Sequence, residues 1–366
     1  MQQNLIKTLF ALLLFPAVTT AQESTWTTID DVNPFIGTGG HGHTHVSAQA
    51  PFGMIQLGPN TRYEGWDGCG GYHYSDNTLL GFSATHLSGT GVSDYGDLLL
   101  MPNVDKPTWQ PNAGTPFNKA TERAEVGYYY AALESGIAVE VTAAERSGLM
   151  KVSFPENTAT PGLLVDLQHR DRVLNASFAK NEDSLWTGSR ISSAWASEQH
   201  FYYALHFSTD PIKVDTLSEH VYYLTFESGL RELQIHVAMS GVDKQGAVKN
   251  LRQEHKDIYS AYGAFGFDQI RDYTRSLWRA ELGKSRVKSS DAEQRAIFAT
   301  SLYHAYSVPN LWSDVDGRYR GRDNAIHTDT TRAHYTIFSL WDTYRTAHPL
   351  YTITQPERTQ DFLYNF

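Results

Sequence analysis

The hydrophobic pattern of the chain changes its period once, and this change constrains the fold more than any other feature. Between about residues 130 and 240, apolar and polar residues alternate in short runs separated by Gly, Pro, Asp and Ser. The clearest runs are IAVEVTA, LMKVSF, FYYALHF and LQIHVAM. Alternation with a period of two indicates antiparallel strands with one buried face, and this number of strands indicates a β-sandwich.

From residue 267 the apolar spacing becomes helical. The segment FDQIRDYTRSLWRAELG carries one apolar stripe, formed by Ile270, Tyr273, Leu277 and Trp278. Gly283 is placed to end this helix, because glycine commonly follows a helix C-terminus.

Further helices are predicted beyond a short strand-like segment, SRVKSS. Ser290 and Glu293 have the spacing of a capping box at the start of a second helix. A third helix is predicted from about Ile337, and Pro356 suits the first position of a fourth. The chain is therefore predicted to be multi-domain, with an antiparallel β-sandwich, a helical linker and the opening helices of an α domain. The predicted boundaries are residues 22–255, 256–288 and 289–366.

The first residues have the pattern of a secretory signal peptide, which we assign to residues 1–21. Lys7 supplies positive charge, an apolar run covers residues 9–18, and Thr-Thr-Ala precedes Gln22. The run is shorter than the roughly 20 apolar residues of a membrane-spanning helix, so no stable membrane anchor is expected. The sequence predicts an exported protein, periplasmic or secreted.

Charge and cysteine content exclude some classes of function. The net charge of −10 argues against nucleic acid as the main partner. Cys69 is the sole cysteine, so no internal disulfide is possible. Aromatic residues make up 13% of the chain, which suits a carbohydrate-handling protein, although a large β-rich core would also raise this value.

An unusual segment, EGWDGCGGYHYSD at residues 64–76, contains no aliphatic residue. Its glycines permit close backbone approach, while its rings and polar groups match the C–H faces and hydroxyls of a sugar. A surface loop stabilised by its own aromatic rings is the alternative. The candidate substrate-binding residues here are Trp66, Asp67, Cys69, Gly71, Tyr72 and His73.

Three other stretches carry residues suited to binding. His41, His43 and His45 alternate and would share one face of a strand, as metal ligands do. No carboxylate or cysteine lies between residues 33 and 59 to complete a metal site, so polar packing at a domain edge is favoured. Asp94 and Asp97 are candidate ligands or structural carboxylates.

In the third stretch, SLWDTYR, Trp341 offers a ring for stacking and Asp342 offers a hydrogen-bond acceptor. Arg345 adds the planar set of N–H donors of its guanidinium group. An exposed i,i+3 ion pair between Asp342 and Arg345 is the simpler alternative. We favour a ligand site.

Together these segments resemble glycoside hydrolase family 92, the exported bacterial α-mannosidases. The resemblance rests on NPFIGTGGHGHTHV, APFGMIQLGP, GYHYSD, YHAYSVPNLWSDVDGRYRG and FSLWDTYRTAHPL, in order along nearly the whole chain. It implies a β-sandwich joined by a helical linker to an (α/α)6 barrel, of which this chain contains the start.

The resemblance also implies an activity, a cofactor and a partner. Family members are calcium-dependent exo-enzymes that remove terminal mannose from glycans, N-glycans included, with inversion. An inverting hydrolase places a general acid and a general base roughly 6.5–9.5 Å apart. Calcium, a hard cation, would bind mannose hydroxyls.

Two departures from the family pattern shape the expectations. The chain stops after the first barrel helices, so the general acid, the general base and most calcium ligands are expected beyond Phe366, and this chain alone is expected to be inactive. No catalytic residue is assigned within it, and its metal ligands stay unassigned. Many members read WDWC where this sequence has Gly68, which puts the linkage preference in question.

The expected role of the chain is to bind carbohydrate and form a pocket wall, in which the loop at residues 64–76 faces Trp341 and Asp342. The alternatives are a non-catalytic carbohydrate-binding or structural β-sandwich, or a family member acting on a different glycan linkage.

Overall fold

The computed structural model describes residues 24–92, 94–336 and 340–365. The predicted signal peptide lies outside these residues. In the part of the chain that is described, every helix is too short or too polar to cross a membrane.

Strands dominate the first two thirds of the described chain. Their bounds are β1 Thr25–Trp26, β2 Gly58–Asn60, β3 Thr78–Leu79, β4 Gly81–Ser83, β5 Leu99–Asn103, β6 Thr115–Pro116, β7 Arg123–Glu125, β8 Tyr128–Ala132, β9 Ala138–Ala143, β10 Ser147–Ser153, β11 Gly162–Asp166, β12 Arg172–Lys180, β13 Trp186–Ser193, β14 Gln199–Phe207, β15 Lys213–Ser218, β16 Val221–Thr225, β17 Glu232–Ser240, β18 Lys288–Ser289, β19 Arg318–Arg320 and β20 Ile326–Thr328.

Two antiparallel sheets form a sandwich. One sheet has the strand order β12-β13-β14-β17-β10-β9-β8-β7, and the other has the order β15-β16-β11-β5-β4-β2. Apolar side chains from both sheets meet in one buried cluster, which includes Val139 and Val152 from the first sheet and Phe82 and Val165 from the second. The predicted β-sandwich is confirmed.

The four alternating runs of the sequence lie in β9, β10, β14 and β17, which are neighbours in the larger sheet. Met150 of β10 is opposite Ile235 of β17, and Val152 is opposite Leu233. All four side chains point into the core, because a strand with a period of two buries every second residue.

The helices lie mainly in the last third of the described chain. Their bounds are α1 Lys244–Tyr262, α2 Phe267–Leu282, α3 Ala292–Ala305, α4 Leu340–Thr343, α5 Ala347–Thr354 and α6 Pro356–Tyr364, with short 3-10 helices at Ile29–Asp31, Trp66–Gly68 and Lys119–Thr121.

The predicted helix at residue 267 is confirmed as α2. Ile270 and Trp278 of its apolar stripe are buried. Gly283 ends the helix, although its backbone is right-handed rather than left-handed. Pro356 begins α6, as predicted.

Two details of the later helices differ from the prediction. The N-cap of α3 is Asp291 rather than Ser290, because the carboxylate of Asp291 accepts hydrogen bonds from the backbone N–H groups of Glu293 and Gln294. In the described part of the segment predicted as one helix from Ile337, the structure has two helices, α4 and α5, separated at residues 344–346.

Helix α1 was missed in the sequence, and the predicted domain boundary at residue 255 falls inside it. The last sandwich strand ends at Ser240, and Asp243 caps the new helix. The helix carries few apolar residues, so its stripe is weak; Ala247 and Val248 pack onto small side chains of β14 and β17.

The sandwich and the helices are joined by a shared apolar cluster. Phe52, from the sandwich side, packs against the rings of Tyr306 and Tyr351 in the helical region. Its backbone N–H donates to the carbonyl of Tyr306 at 2.7 Å. The indole N–H of buried Trp278 donates to the carbonyl of Gln49 at 2.7 Å. These contacts hold the loops at this end of the sandwich against the helices.

Candidate functional site

The glycine-rich loop at residues 64–76 is closed at its base by hydrogen bonds. The backbone N–H of Thr61 donates to the carbonyl of Gly71 at 2.8 Å. The carboxylate of Asp76 accepts from the Thr61 hydroxyl at 3.0 Å and from Arg62 Nε at 3.1 Å. Polar contacts at the flanks thus order a segment that has no aliphatic side chains of its own.

Two glycines of this loop are required by its backbone. Gly71 has a φ of +79°, a conformation that other residues rarely adopt. A Cβ atom on Gly68 would lie 2.7 Å from the carbonyl carbon of Tyr63. A tryptophan at position 68, as in WDWC, would therefore require the Tyr63 backbone to move.

At the tip of the loop, Trp66 is held at the surface by a histidine. Its side chain is 62% exposed, and the His43 ring meets it edge-on, with ring centroids 5.0 Å apart. Trp66 therefore offers most of an aromatic face to a ligand.

Beside this ring, Asp67 lies against two histidines. Its Oδ1 atom is 2.7 Å from His41 Nδ1 and 3.0 Å from His43 Nε2. Hydrogen bonds from His41 and then His43 hold the pKa of the Asp67 carboxyl below its ordinary value.

The favoured interpretation of the three histidines, polar packing at a domain edge, stays a prediction, but its premise that no carboxylate is at hand does not hold for His41 and His43. It rested on the lack of a carboxylate near them in sequence, but the fold brings in Asp67 from the later loop. His41, His43 and Asp67 place one donor atom each within 4.8 Å of one another. His45 lies apart from this group, buried beside His86, and burial lowers the pKa of its ring.

Four predicted loop residues have packing or positioning roles in the structure. Cys69 is buried, with Sγ 2.9 Å from the carbonyl of Thr90. The ring of Tyr72 lies in the sandwich core, and its hydroxyl donates to Glu122. Both ring nitrogens of His73 have hydrogen-bond partners. Gly71 sets the backbone turn. Direct contact of these four residues with a substrate stays a prediction.

Trp341 of α4 and Arg345, two residues after that helix, lie at the surface. Trp341 is 83% exposed, and Arg345 Nε donates to the Tyr344 hydroxyl at 2.8 Å. Among the described residues, no hydrogen bond, ion pair or ring contact joins Trp341 or Arg345 to the loop at residues 64–76. The shared pocket that includes Asp342 therefore stays a prediction.

Neighbouring segments nevertheless connect this end of the sandwich to the helices. The backbone N–H of Asn33 donates to the Thr300 hydroxyl in α3 at 2.9 Å, and His304 Nε2 is 2.9 Å from the carbonyl of Ile36. A further hydrogen bond links the Tyr95 side chain with Thr336, four residues before α4 begins.

The two carboxylates of the stretch after Thr85 are structural. Asp97 forms a buried ion pair with Arg190 and accepts from Gln199 Nε2 at 2.7 Å. Asp94 accepts from the backbone N–H of Ala196 at 3.0 Å, and burial raises the pKa of its carboxyl.

The His41, His43 and Asp67 group does not fit calcium. Calcium takes six to eight oxygen ligands, whereas two of the three donors here are imidazole nitrogens. Among the described residues no other group of three His, Cys, Asp or Glu side chains is assembled for a metal. No step is assigned to calcium in this chain.

Two family models match the chain and together cover nearly all of the described fold. Residues 31–270 match the glycosyl hydrolase family 92 N-terminal domain. Residues 246–366 match the glycosyl hydrolase family 92 catalytic domain. The two matches overlap at α1 and the start of α2.

Known relatives agree with these matches. The chain is similar to an uncharacterized secreted glycosidase of Arthroderma benhamiae, with 24% identity over 86% of this chain and 45% of the relative. It superimposes on the family GH92 alpha-mannosidase BT3965 from Bacteroides thetaiotaomicron with a TM-score of 0.82 and 30% identity, covering 92% of this chain and 49% of that one.

The inverting mannosidase BT2199 of Bacteroides thetaiotaomicron VPI-5482 gives a TM-score of 0.77 at 26% identity, covering 92% of this chain and 48% of that one. The chain thus spans about half the length of these relatives. With two thirds of its residues matched by the N-terminal domain model alone, the chain belongs to glycosyl hydrolase family 92.

Proposed function

We propose that the chain is the N-terminal part of an exo-acting, inverting α-mannosidase that removes terminal mannose from glycans. Family membership and the fold support a glycosidase. Mannose as the substrate is supported by the mannosidase relatives, one of which forms a complex with mannoimidazole. Export is supported by the secreted relative.

Exposed Trp66 beside Asp67 is the observation that carries the proposal. An aromatic face that is open to solvent can stack on the C–H face of a sugar, and an adjacent carboxylate accepts hydrogen bonds from its hydroxyls. The base of the loop is closed by hydrogen bonds, and the Trp66 ring packs against His43. The loop and the ring therefore lose little conformational freedom when a ligand binds.

The chemistry of inversion requires two carboxyl groups, one to protonate the leaving oxygen and one to activate water. We place neither in the described residues. In the proposal they belong to the part of the catalytic domain that the relatives have beyond the region aligned with this chain, as do the oxygen ligands of a calcium ion. The chain itself supplies Trp66 and Asp67, and through α4 it supplies Trp341 and Asp342.

Asp342 provides the test. In a protein completed with the remainder of a family 92 catalytic domain, Asp342→Ala is expected to abolish hydrolysis of an aryl α-mannoside while the circular dichroism spectrum is retained. Asp323→Ala is the matched control. Asp323 is an exposed aspartate that accepts a hydrogen bond from the backbone N–H of Ala325 and pairs with His327. Wild-type kinetics in Asp342→Ala would remove its assigned role.

Binding of mannoimidazole by the 366-residue chain separates the enzyme from the alternative of a carbohydrate-binding module. We expect weak binding that strengthens when the catalytic domain is completed. Tight binding by a shorter chain that ends after α1 would instead favour a sandwich that binds carbohydrate alone.

A further inference from the structure

Two histidines and an aspartate meet beside Trp66, and the proposed hydrolysis gives the ring nitrogens of the histidines no task. His41 and His43 come from the segment before β2, and Asp67 comes from the 3-10 helix at the tip of the glycine-rich loop. We refer to these three residues as the His–His–Asp group. Its donor atoms are His41 Nδ1, His43 Nε2 and Asp67 Oδ1.

The orientation of the His43 ring is fixed by a second hydrogen bond. His43 Nδ1 lies 2.8 Å from the carbonyl oxygen of Thr90. A carbonyl oxygen only accepts, so Nδ1 carries the proton and donates it. When Nε2 carries no proton, its lone pair is directed towards Asp67.

In that form two acceptors face each other. The Nε2 lone pair and the Asp67 Oδ1 oxygen are 3.0 Å apart, a distance at which they repel unless a positive charge lies between them. That charge is either a proton on Nε2 or a metal ion. Histidine metal ligands in proteins typically donate their other ring nitrogen to a carbonyl or carboxylate, which is the arrangement of Nδ1 here.

The distances suit a small cation. Zinc bonds of about 2.0–2.1 Å in tetrahedral geometry place neighbouring ligand atoms about 3.3 Å apart. The two distances to Asp67 are 2.7 and 3.0 Å and all three ligand atoms lie within 4.8 Å of one another, so the ion is admitted by an outward movement of Asp67 together with an adjustment of the His41 ring. The His41 side chain is 79% exposed and therefore has room to move, while His43 is held by Thr90 and Trp66.

We propose that the His–His–Asp group binds one divalent transition-metal ion of the zinc type, through two imidazole nitrogens and one carboxylate oxygen. Imidazole ligands favour zinc, copper or nickel over calcium and magnesium, so this site is separate from the calcium discussed above. Three protein ligands leave a fourth position open, next to the exposed ring of Trp66.

Such an ion would connect two loops that are distant in sequence. His41 and His43 lie in the first loop, and Asp67 lies in the second, directly beside Trp66. Binding of the metal would hold the Trp66 ring at its present position against His43. The open coordination position is available to water or to a ligand hydroxyl beside the ring.

The test is calorimetric titration of the 366-residue chain, freed of metal by a chelator, with zinc chloride alone. We expect one site, with a dissociation constant at least 10-fold higher in His41→Ala and in Asp67→Asn. His327→Ala is the matched control, because His327 is an exposed histidine that pairs with a single aspartate, Asp323, among the described residues. The zinc affinity of this variant is expected to equal that of the wild type. No sugar enters the titration, so its outcome is independent of the proposed hydrolase activity.

Cobalt(II) supplies a second readout, because a four-coordinate site gives strong visible absorption that the two ligand variants are expected to lose. If a variant fails to fold, the wild-type cobalt spectrum and competition by zinc still decide the question. The proposal is overturned if the wild-type chain shows no zinc binding in the micromolar range. It is also overturned if both ligand variants bind zinc as the wild type does, or if calcium displaces zinc at equal concentration. In the first two cases the contact between His43 and Asp67 is a proton-mediated hydrogen bond, and in the third the group does not select a zinc-type ion.

Discussion

Asp97 and Arg190 form an ion pair that is almost completely shielded from solvent, with Asp97 Oδ1 2.8 Å from Arg190 Nη1. Asp97 precedes β5 in the smaller sheet and Arg190 lies on β13 of the larger sheet, so the pair connects the two layers of the sandwich. Asp97 also accepts from the Thr85 hydroxyl at 2.9 Å, and Arg190 Nε donates to the carbonyl of Leu167 at 3.0 Å. The pair thereby fixes the stretch that follows the glycine-rich loop.

Replacing Arg190 is expected to lower the free energy of unfolding substantially. Arg190→Met leaves the Asp97 carboxylate buried without its partner, and breaking a buried pair in this way typically costs about 3–5 kcal/mol of unfolding free energy. Urea denaturation measures the loss. Lys180→Met is the control, because Lys180 pairs with Asp210 at the surface, where such pairs contribute about 0–1 kcal/mol. Equal losses in the two variants would contradict a special role for the buried pair.

Trp66→Ala is expected to weaken binding of a mannose ligand about tenfold, which corresponds to about 1.4 kcal/mol. The thermal midpoint should change little, because the Trp66 ring is mostly exposed. Trp26→Ala removes another half-exposed tryptophan, at the N-terminal strand β1, and should leave binding unchanged. An unfolded Trp66→Ala protein would show instead that the ring is needed for packing.

Gly91 controls the position of the same ring without being part of its loop. A Cβ atom at Gly91 would lie 2.5 Å from Trp66 Cη2, so Gly91→Ala is expected to push the ring aside. Ligand binding should weaken as in Trp66→Ala, and tryptophan emission should shift. Gly39→Ala is the control, since a Cβ atom there has an ordinary 3.6 Å contact with Tyr74. Unchanged binding in Gly91→Ala would mean that the precise position of the ring does not matter.

Much of the architecture could be predicted because its signals are local. The alternation in β9, β10, β14 and β17 and the apolar stripe of α2 each arise within a single segment. Helix α1 was not predicted because its stability comes from packing on the sheet. Ala247 packs with Ala204 and Ala238, and alanine contributes little to a hydrophobic periodicity.

The candidate site depended on contacts that no single segment reveals. Asp67 joins His41 and His43 across more than twenty residues, so the local search for a carboxylate missed it. Tyr72 could not be told from Trp66 by residue type, yet the fold places the first ring in the core and the second at the surface. Site residues on loops are positioned by tertiary contacts, and periodicity carries no information about those contacts.

Glu254 gives the chain a specific pH dependence of stability. This buried carboxyl of α1 accepts hydrogen bonds from the backbone N–H of Arg146 at 2.6 Å and from the Ser147 hydroxyl at 2.5 Å. Burial first, and the nearby charge of Glu145 second, raise the pKa of Glu254 from 4.5 to about 7. Between these two values the folded chain keeps a proton that the unfolded chain has lost.

The stabilising contribution of Glu254 is therefore fully present below pH 4.5 and is lost as the pH rises through 7. Glu254→Gln keeps the shape of the side chain but cannot titrate. As the pH rises from 4.5 to about 7, the wild type should therefore lose up to about 3 kcal/mol of unfolding free energy relative to the variant. Urea denaturation at pH 4.5, 6, 7 and 8 measures it. Glu156→Gln, at an exposed glutamate that pairs with Arg231 at the surface, is the control. A difference for Glu254→Gln that stays constant with pH would mean that the carboxyl titrates alike in the folded and unfolded chain.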